Sequence, residues 1–242
     1  RDNGGEIRKE KVGCGQVRGL KLLINRYTKR RIMLLVSVLL MAGMLAAVII
    51  FHADMGAEST ESGDYMLCKI MALFPVVIAA DLPVIFMAYE TQGSRFMRAT
   101  PCAARMYRVD IPVFSALTTF AWLSLEVLAY SVFILVTGRD IANISDILVP
   151  AAILGFVFTI VMCCLLTLRY GAVAFFVYYL PVLVVMDIFG AMDNGTGIPI
   201  WLAVVMYFVA FGAGLGVSAL IAGLAFTKGN FKALTYSQGR IA

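Results

Sequence analysis

Long runs of apolar residues alternate with short polar segments along most of the chain. Six of these runs are long enough to cross the hydrocarbon core of a bilayer, which takes about 20 residues of helix. They are Ile32–Phe51, Lys69–Tyr89, Ile111–Thr137, Ile147–Leu168, Gly171–Phe189 and Pro199–Phe226. The runs are too continuously apolar for strands of a membrane barrel, because such strands alternate apolar and polar residues. The pattern predicts an all-α integral membrane protein with six transmembrane helices over residues 32–226.

The segment before the first run, residues 16–31, has helical periodicity. Its apolar residues recur every three or four positions, at Val17, Leu20, Leu23, Ile24 and Tyr27. Basic residues fall on the opposite face, at Arg18, Lys21, Arg26 and Lys29. A basic amphipathic helix of this kind lies in the headgroup plane of the bilayer and meets anionic lipid. A simple positively charged flank of the first span is the alternative. Polar tails are predicted over residues 1–15 and 227–242.

Composition and charge distribution agree with a membrane protein. The chain is 61% hydrophobic and 14% charged, whereas a soluble domain is typically about 45–50% apolar and about 25% charged. Ten of the twenty basic residues precede the first run. Because cytoplasmic segments carry the excess of lysine and arginine, both termini are expected in the cytoplasm. The net charge of +5 reflects this asymmetry. A nucleic-acid partner is not expected, since basic and aromatic residues do not interleave on a soluble domain.

No residue pattern indicates an enzyme or a metal site. The Walker A motif of ATP-binding proteins is absent. The single histidine, His52, falls at the outer end of a span, where a solvated side chain is more common than a metal ligand. The five cysteines lack metal-ligand spacing. The sequence GAGLG at 212–216 lies inside a span, where small residues favour the close approach of another helix.

Three acidic residues, Asp81, Glu126 and Asp187, fall within or near the spans. An ionisable group in a bilayer is costly and is a functional hypothesis by default. Glu126 lies near the middle of its run, where it either faces a substrate route or a partner subunit, or is a protonated or hydrogen-bonded packing residue. Asp81 lies between Pro75 and Pro83, so this span is predicted to bend and to help shape a hydrated cavity. Asp81 and Glu126 are therefore the candidate residues of a substrate pathway.

A polar, basic segment interrupts the apolar pattern between the second and third runs, with the sequence YETQGSRFMRATPCAARMYRVD from Tyr89 to Asp110. Gly93 and Pro101 bracket a short predicted helix. The segment carries four arginines for pairing with carboxylates of a partner, Arg95, Arg98, Arg105 and Arg108, and three apolar side chains for a partner's pocket, Phe96, Met97 and Met106. A loop whose arginines only set the topology is the alternative. That alternative accounts for the positive charge of the segment better than for the length of the segment.

The arrangement resembles the membrane subunit of type-2 ABC exporters, the ABC-2 permease family, over residues 16–226. The shared features are a basic amphipathic helix, six spans with both ends inside, and a polar loop after the second span. In that loop, family members often carry a Glu, a nearby Gly, and then a Pro followed by Arg and an aromatic residue. The corresponding residues are Glu90, Gly93, Pro101, Arg105 and Tyr107. The short segment Gly190–Pro199 departs from the family, which often has a further helical element there.

The resemblance implies that the loop is a coupling helix that docks on a separate ATPase subunit, through Glu90, Gly93, Arg95, Phe96, Arg98, Pro101, Arg105 and Tyr107. It further implies that two permeases, identical or related, form the substrate route in a bacterial plasma membrane. ATP and Mg would then bind to the partner subunit, and this chain would bind no cofactor. An ion-coupled secondary carrier and a non-transporting membrane sensor or immunity protein are the alternatives.

Overall fold

A computed structural model of the protein describes residues 18–54, 73, 76, 79–88, 103–136, 142–168 and 197–228. The helices in this part of the chain are α1 (Arg18–Lys29), α2 (Arg31–Asp54), α3 (Ala79–Ala88), α4 (Ile111–Val136), α5 (Ala142–Thr167) and α6 (Ile200–Lys228). A short α-helical turn, Ala103–Arg105, and a π-helical turn, Met106–Asp110, lead directly into α4. The prediction of an all-helical fold is confirmed for the described residues.

Three of the described helical segments are long and apolar enough to cross a membrane. They are Ala103–Val136, Ile144–Thr167 and Ile200–Thr227, and they coincide with the third, fourth and sixth predicted runs. Shorter apolar helical stretches occur at Arg31–Gly43 and Ala79–Ala88, which overlap the first and second runs. The fifth run lies outside the described residues. These apolar helices are those of a membrane protein.

The largest difference from the predicted boundaries lies ahead of α4. Residues Ala103 to Asp110 are helical, whereas the sequence pattern predicts a polar loop that continues to Asp110. Pro112 explains the form of this extension, because a proline lacks an N–H group and its ring clashes with the carbonyl four residues earlier in a regular α-helix. The π-helical turn just before it is wider, with a hydrogen bond from the Ile111 N–H group to the Met106 carbonyl.

Helices α5 and α6 pack closely because small residues lie in their interface. The ring of Phe211 in α6 occupies the space next to Gly155 in α5. A β-carbon on Gly214 in α6 would lie 3.2 Å from the β-carbon of Thr159. The hydroxyl of Ser218 donates a hydrogen bond to the Thr159 carbonyl over 3.2 Å. Transmembrane helices generally associate in this way, through small residues that let their backbones approach.

Two apolar clusters form the interior of the described part. The central cluster joins α4, α5 and α6, and its larger members include Leu123, Tyr130, Phe158, Tyr207 and Phe211. The basal cluster joins α1, α3, α5 and α6 to the start of α4, and it includes Leu23, Tyr27, Val84, Met87, Met106, Tyr107, Ile111, Phe114, Met162, Leu166 and Ala222.

Helix α1 packs on the basal cluster through one side of the helix. Leu23 and Tyr27, which are one turn apart, are buried, and Lys21 and Lys29 on the other side are exposed. Ile24 is predicted to share the apolar face, but its side chain is 42% exposed. The difference arises because the covered side of α1 carries Leu23 and Tyr27 with the half-buried Gly19, Leu20 and Arg26, and Ile24 lies beyond its edge.

Candidate functional site

Pro83 disrupts the hydrogen-bond ladder of α3. The proline has no N–H group, so the carbonyl of Ala79, four residues earlier, lacks its usual helical donor. The hydroxyl of Ser37 in α2 donates to that carbonyl over 2.6 Å, and it also lies 2.9 Å from the Met33 carbonyl of its own helix. Hydroxyl side chains commonly satisfy carbonyls that a proline frees in membrane helices. Helix α2 is therefore attached to α3 at the point where the ladder is interrupted.

The next carbonyl of α3 is bound by Tyr27 of α1. The Tyr27 hydroxyl donates to the Ala80 carbonyl over 3.4 Å and accepts a hydrogen bond of 2.7 Å from the indole N–H of Trp122 in α4. Burial raises the pKa of Tyr27 to about 12, with a smaller lowering by the Trp122 hydrogen bond and a further rise from the charge of Asp81. The hydroxyl is therefore protonated at neutral pH and joins α1, α3 and α4.

Asp81 follows Ala80 directly and is buried, with a side chain only 6% exposed. Its Oδ1 atom has no hydrogen-bond partner among the described residues. The Tyr27 hydroxyl binds the carbonyl of the preceding residue, Ala80, so Asp81 lies next to the point where α1 contacts α3. A buried carboxylate oxygen without a partner is costly, so this position calls for a proton or for a positively charged ligand.

Glu126 lies in α4, one helical turn after Trp122. Its side chain is 1% exposed, and its Oε2 atom also lacks a partner within the described part of the chain. The exposed apolar residues of α4 lie on a different side of the helix, at Leu117, Leu125, Leu128, Val132 and Leu135. The structure thus places Glu126 on the protein-facing side of a membrane-spanning helix. The Tyr27–Trp122 hydrogen bond thus connects the helices that carry the two predicted pathway acids, since Asp81 adjoins Ala80 in α3 and Glu126 follows Trp122 in α4.

The last part of the polar segment, from Ala103 to Asp110, packs into the basal cluster. Tyr107 is 3% exposed, and its ring stacks on Phe226 near the end of α6, with centroids 5.8 Å apart. The guanidinium of Arg108 lies 5.8 Å from the centroid of the same Phe226 ring, a cation–π distance. Met106, which the sequence predicts to fill a partner's pocket, is 8% exposed and packs inside this chain. The segment's last turn is therefore fixed to α6.

A second contact joins the same turn to α1. The carboxylate of Asp110 lies directly against Gly19. Arg105, one of the predicted partner-binding residues, interacts electrostatically with that carboxylate. The structure thus brings Arg105 and Tyr107 together with α1 and α6.

The other predicted partner-binding residues, Glu90, Gly93, Arg95, Phe96, Arg98 and Pro101, lie outside the described residues, as does the side chain of Arg18. Of the remaining basic residues of α1, Lys21 and Lys29 are exposed. Arg26 is half-buried, and its Nη1 atom has no hydrogen-bond partner in the described regions.

Sequence reasoning does not identify Ser37, Trp122 or Asp110 as parts of this site. A signal for Ser37 exists, since it is the only hydroxyl residue between Ile32 and Phe51 and Pro83 frees a carbonyl in a neighbouring span. The roles of Trp122 and Asp110 depend on which helices pack together, and the pattern along one chain does not contain that information.

No protein-family model matches the chain, and neither a curated protein nor a solved structure matches it. From the structure alone, the fold and the site define an α-helical membrane protein with two buried acidic side chains and a basic amphipathic helix packed against the basal cluster.

Proposed function

We propose that the chain is the membrane subunit of an ABC-type exporter of the ABC-2 permease kind. In this proposal it crosses the membrane six times, both termini are cytoplasmic, and a separate ATPase docks on the 90–110 segment. The residue pattern Glu90, Gly93, Pro101, Arg105 and Tyr107 supports the proposal. So does the excess of basic residues on the side that would face the cytoplasm.

One structural observation carries the proposal furthest. The end of the segment, from Ala103 to Asp110, is helical and continuous with α4, and it contacts both α1 and the end of α6. A partner that displaces this segment would therefore move α4 directly, and α1 and α6 through Asp110 and Tyr107. This is the mechanical link that a coupling segment needs.

The energy for transport must come from the partner, because this sequence has no Walker A motif. Two copies of the chain, or this chain and a relative, would enclose the substrate route. ATP-driven closure of two ATPase subunits would push on both coupling segments and switch the route between inward-facing and outward-facing states. The basic amphipathic helix would hold the base of each subunit at the headgroup level.

Co-purification from the native membrane tests this proposal. The tagged protein is extracted in a mild detergent, and the proteins that come with it are identified. The same extraction is repeated with Arg95, Arg98 and Arg105 changed to Glu. A matched control changes Arg169 and Lys228 to Glu. With six spans and both termini inside, Arg169 between the fourth and fifth runs and Lys228 after the sixth are on the cytoplasmic side but outside the segment.

We expect an ABC-type ATPase to accompany the wild-type chain and the control, and to be lost from the triple variant. Release by the control as well would point to a general charge effect. If no ATPase appears with any of the proteins, the proposal is wrong.

The buried acids favour one second candidate, an ion-coupled secondary carrier. Asp81 and Glu126 each carry a buried oxygen without a partner in the described residues, and intramembrane carboxyls of this kind serve as proton or ion sites in carriers. Transport by the purified chain in liposomes, driven by a proton gradient without ATP, would identify a carrier.

A further inference from the structure

Three side chains of α4 lie one helical turn apart on a single face. Trp122, Glu126 and Tyr130 are spaced four residues apart, so their side chains follow one another along the helix. Trp122 is half-buried, whereas Glu126 and Tyr130 are 1% and 2% exposed. The carboxyl group of Glu126 is therefore preceded and followed by aromatic side chains on the protein-facing side of the helix.

The described spans supply no positive charge to balance this carboxyl. Helices α3, α4 and α5 contain no lysine or arginine, and the only ones in α2 and α6 are at their ends, Arg31 as the first residue of α2 and Lys228 as the last residue of α6. The Oε2 atom of Glu126 and the Oδ1 atom of Asp81 are both buried and have no hydrogen-bond partner among the described residues. Since an unpaired buried carboxylate is strongly disfavoured, a positive charge on a bound ligand would stabilise it.

Two hydrogen bonds connect Trp122 to the helix that carries Asp81. The indole donates to the Tyr27 hydroxyl, and that hydroxyl donates to the carbonyl of Ala80, the residue before Asp81. Glu126 follows Trp122 in the next turn of α4, and the apolar central cluster includes Leu123, the residue between them that adjoins Trp122.

We propose that Trp122, Glu126 and Tyr130, with Asp81 nearby, bind the charged group of an amphipathic organic cation, such as a substituted ammonium or phosphonium on an apolar body. The carboxylates supply the countercharge, and the aromatic rings attract the cation through their faces. The central cluster solvates the apolar body. Within the described residues no three His, Cys, Asp or Glu side chains are grouped to hold a metal ion, whereas a bulky organic cation needs only one carboxylate and aromatic surface.

The inference deepens the proposed function by naming the substrate class, and it rests on that function only for the claim that the cation is transported. Binding itself requires no ATPase. The chain has two tryptophans, Trp122 and Trp201, and Trp201 is 66% exposed on α6. Trp201→Phe therefore leaves Trp122 as the only indole, and its fluorescence reports on the site.

The experiment titrates the purified Trp201→Phe protein in detergent with tetraphenylphosphonium and follows Trp122 fluorescence. Glu126→Gln is then compared in the same background, because glutamine keeps the size of the side chain and removes its charge. We expect saturable quenching, and a Kd about tenfold higher in the glutamine variant, the effect of losing one hydrogen-bonded or paired charge. Glu126→Asp keeps the charge and should restore part of the affinity.

Asp110→Asn is the matched control, since Asp110 precedes Glu126 by sixteen residues in the same helical segment, which places it about 24 Å away at ~1.5 Å per residue, and it should leave the Kd unchanged. If Glu126→Gln does not give a monodisperse protein, Asp81→Asn takes its place, with an expected rise in Kd of about threefold. Absence of saturable quenching, or an unchanged Kd in the acid-to-amide variant that folds, would overturn the proposed site.

These outcomes are independent of the co-purification test. An ATPase that accompanies the chain, together with no acid-dependent binding of the cation, would reject the cation site and keep the exporter. Acid-dependent binding without any ATPase would support the site and reject the exporter in favour of a carrier.

Discussion

The carboxylate of Asp110 occupies the space in which a β-carbon on residue 19 would lie. Gly19 is the second residue of α1, and Asp110 is the last residue of the π-helical turn before α4. A negative charge at this place is favourable, because the first turn of a helix carries partial positive charge. The contact therefore fixes the start of the amphipathic helix to the start of a membrane-spanning helix.

We expect Gly19→Ala to destabilise the protein. The new methyl group would displace the buried Asp110 side chain, and overpacking of this kind costs about 1–3 kcal/mol. That cost exceeds the gain of about 0.4–1 kcal/mol that Gly→Ala usually brings in a helix. The free energy of unfolding in mixed detergent micelles measures the effect. Gly43→Ala in α2 is the control, since nothing lies within 4 Å of a β-carbon there, and it should be neutral or slightly stabilising.

The same displacement gives a second check on the contact. In an Asp110→Ala background the space in front of residue 19 is free, so Gly19→Ala should no longer destabilise. A cost of Gly19→Ala that is equally large in both backgrounds would show that the glycine is required for another reason.

Ser37 and Pro83 should be energetically coupled. We expect Ser37→Ala to lower the free energy of unfolding by about 1 kcal/mol, because the freed Ala79 carbonyl would lose its donor. Pro83→Ala returns an N–H group to α3, so Ser37→Ala should cost clearly less in that background. A double-mutant cycle in micelles measures the coupling. Additive effects would contradict the assignment of Ser37 as the replacement donor.

Gly214 and Gly216 lie on different faces of α6, and an added methyl group should destabilise the protein only at Gly214. Gly214→Ala would bring a β-carbon to 3.2 Å from both the Thr159 β-carbon and the Phe156 carbonyl oxygen, so we expect it to destabilise the α5–α6 pair by about 1–3 kcal/mol. Gly216→Ala, two residues further along the same helix, meets nothing within 4 Å and is the matched control. Thermal loss of the monodisperse gel-filtration peak compares the two. Equal losses would mean that α5 does not pack on this face.

The sequence pattern predicts the helices of the described part well, because continuous apolar runs determine where a chain can cross a bilayer. Ile111–Thr137 corresponds to α4, which ends at Val136, and Pro199–Phe226 corresponds to α6, which is Ile200–Lys228. The pattern misses the helical turns between Ala103 and Asp110. The polar residues there resemble a loop, but Tyr107 and Met106 are buried by α1 and α6, and such tertiary contacts override local polarity.

The candidate site is predictable only in part. Burial of Asp81 and Glu126 follows from their position in apolar runs, since a helix inside a bilayer turns its acids toward the protein. The hydrogen bonds of Tyr27 and Trp122 near these acids depend on the packing of α1 against α3 and α4. Amphipathicity predicts that α1 has an apolar face, but it does not decide whether lipid or protein covers that face.

The last prediction concerns the ionisation of Tyr27. The ordinary pKa of a tyrosine is about 10, and burial raises that of Tyr27 to about 12. The folded protein therefore binds this proton more tightly than the unfolded chain does. The resulting stabilisation is complete below pH ~10 and is lost as the pH rises through the folded pKa. Absorbance of tyrosinate, taken as the difference between wild type and Tyr27→Phe, measures this pKa.

Two variants should shift the Tyr27 titration in opposite directions. Trp122→Phe removes the hydrogen bond that lowers the pKa, so the midpoint should rise further. Asp81→Asn removes the neighbouring negative charge that raises it, so the midpoint should fall. Both shifts require that the indole and the carboxyl lie next to the same hydroxyl. A midpoint that neither variant moves would show that α1 does not pack against α3 and α4 through Tyr27, and the connection between the two buried acids would be lost with it.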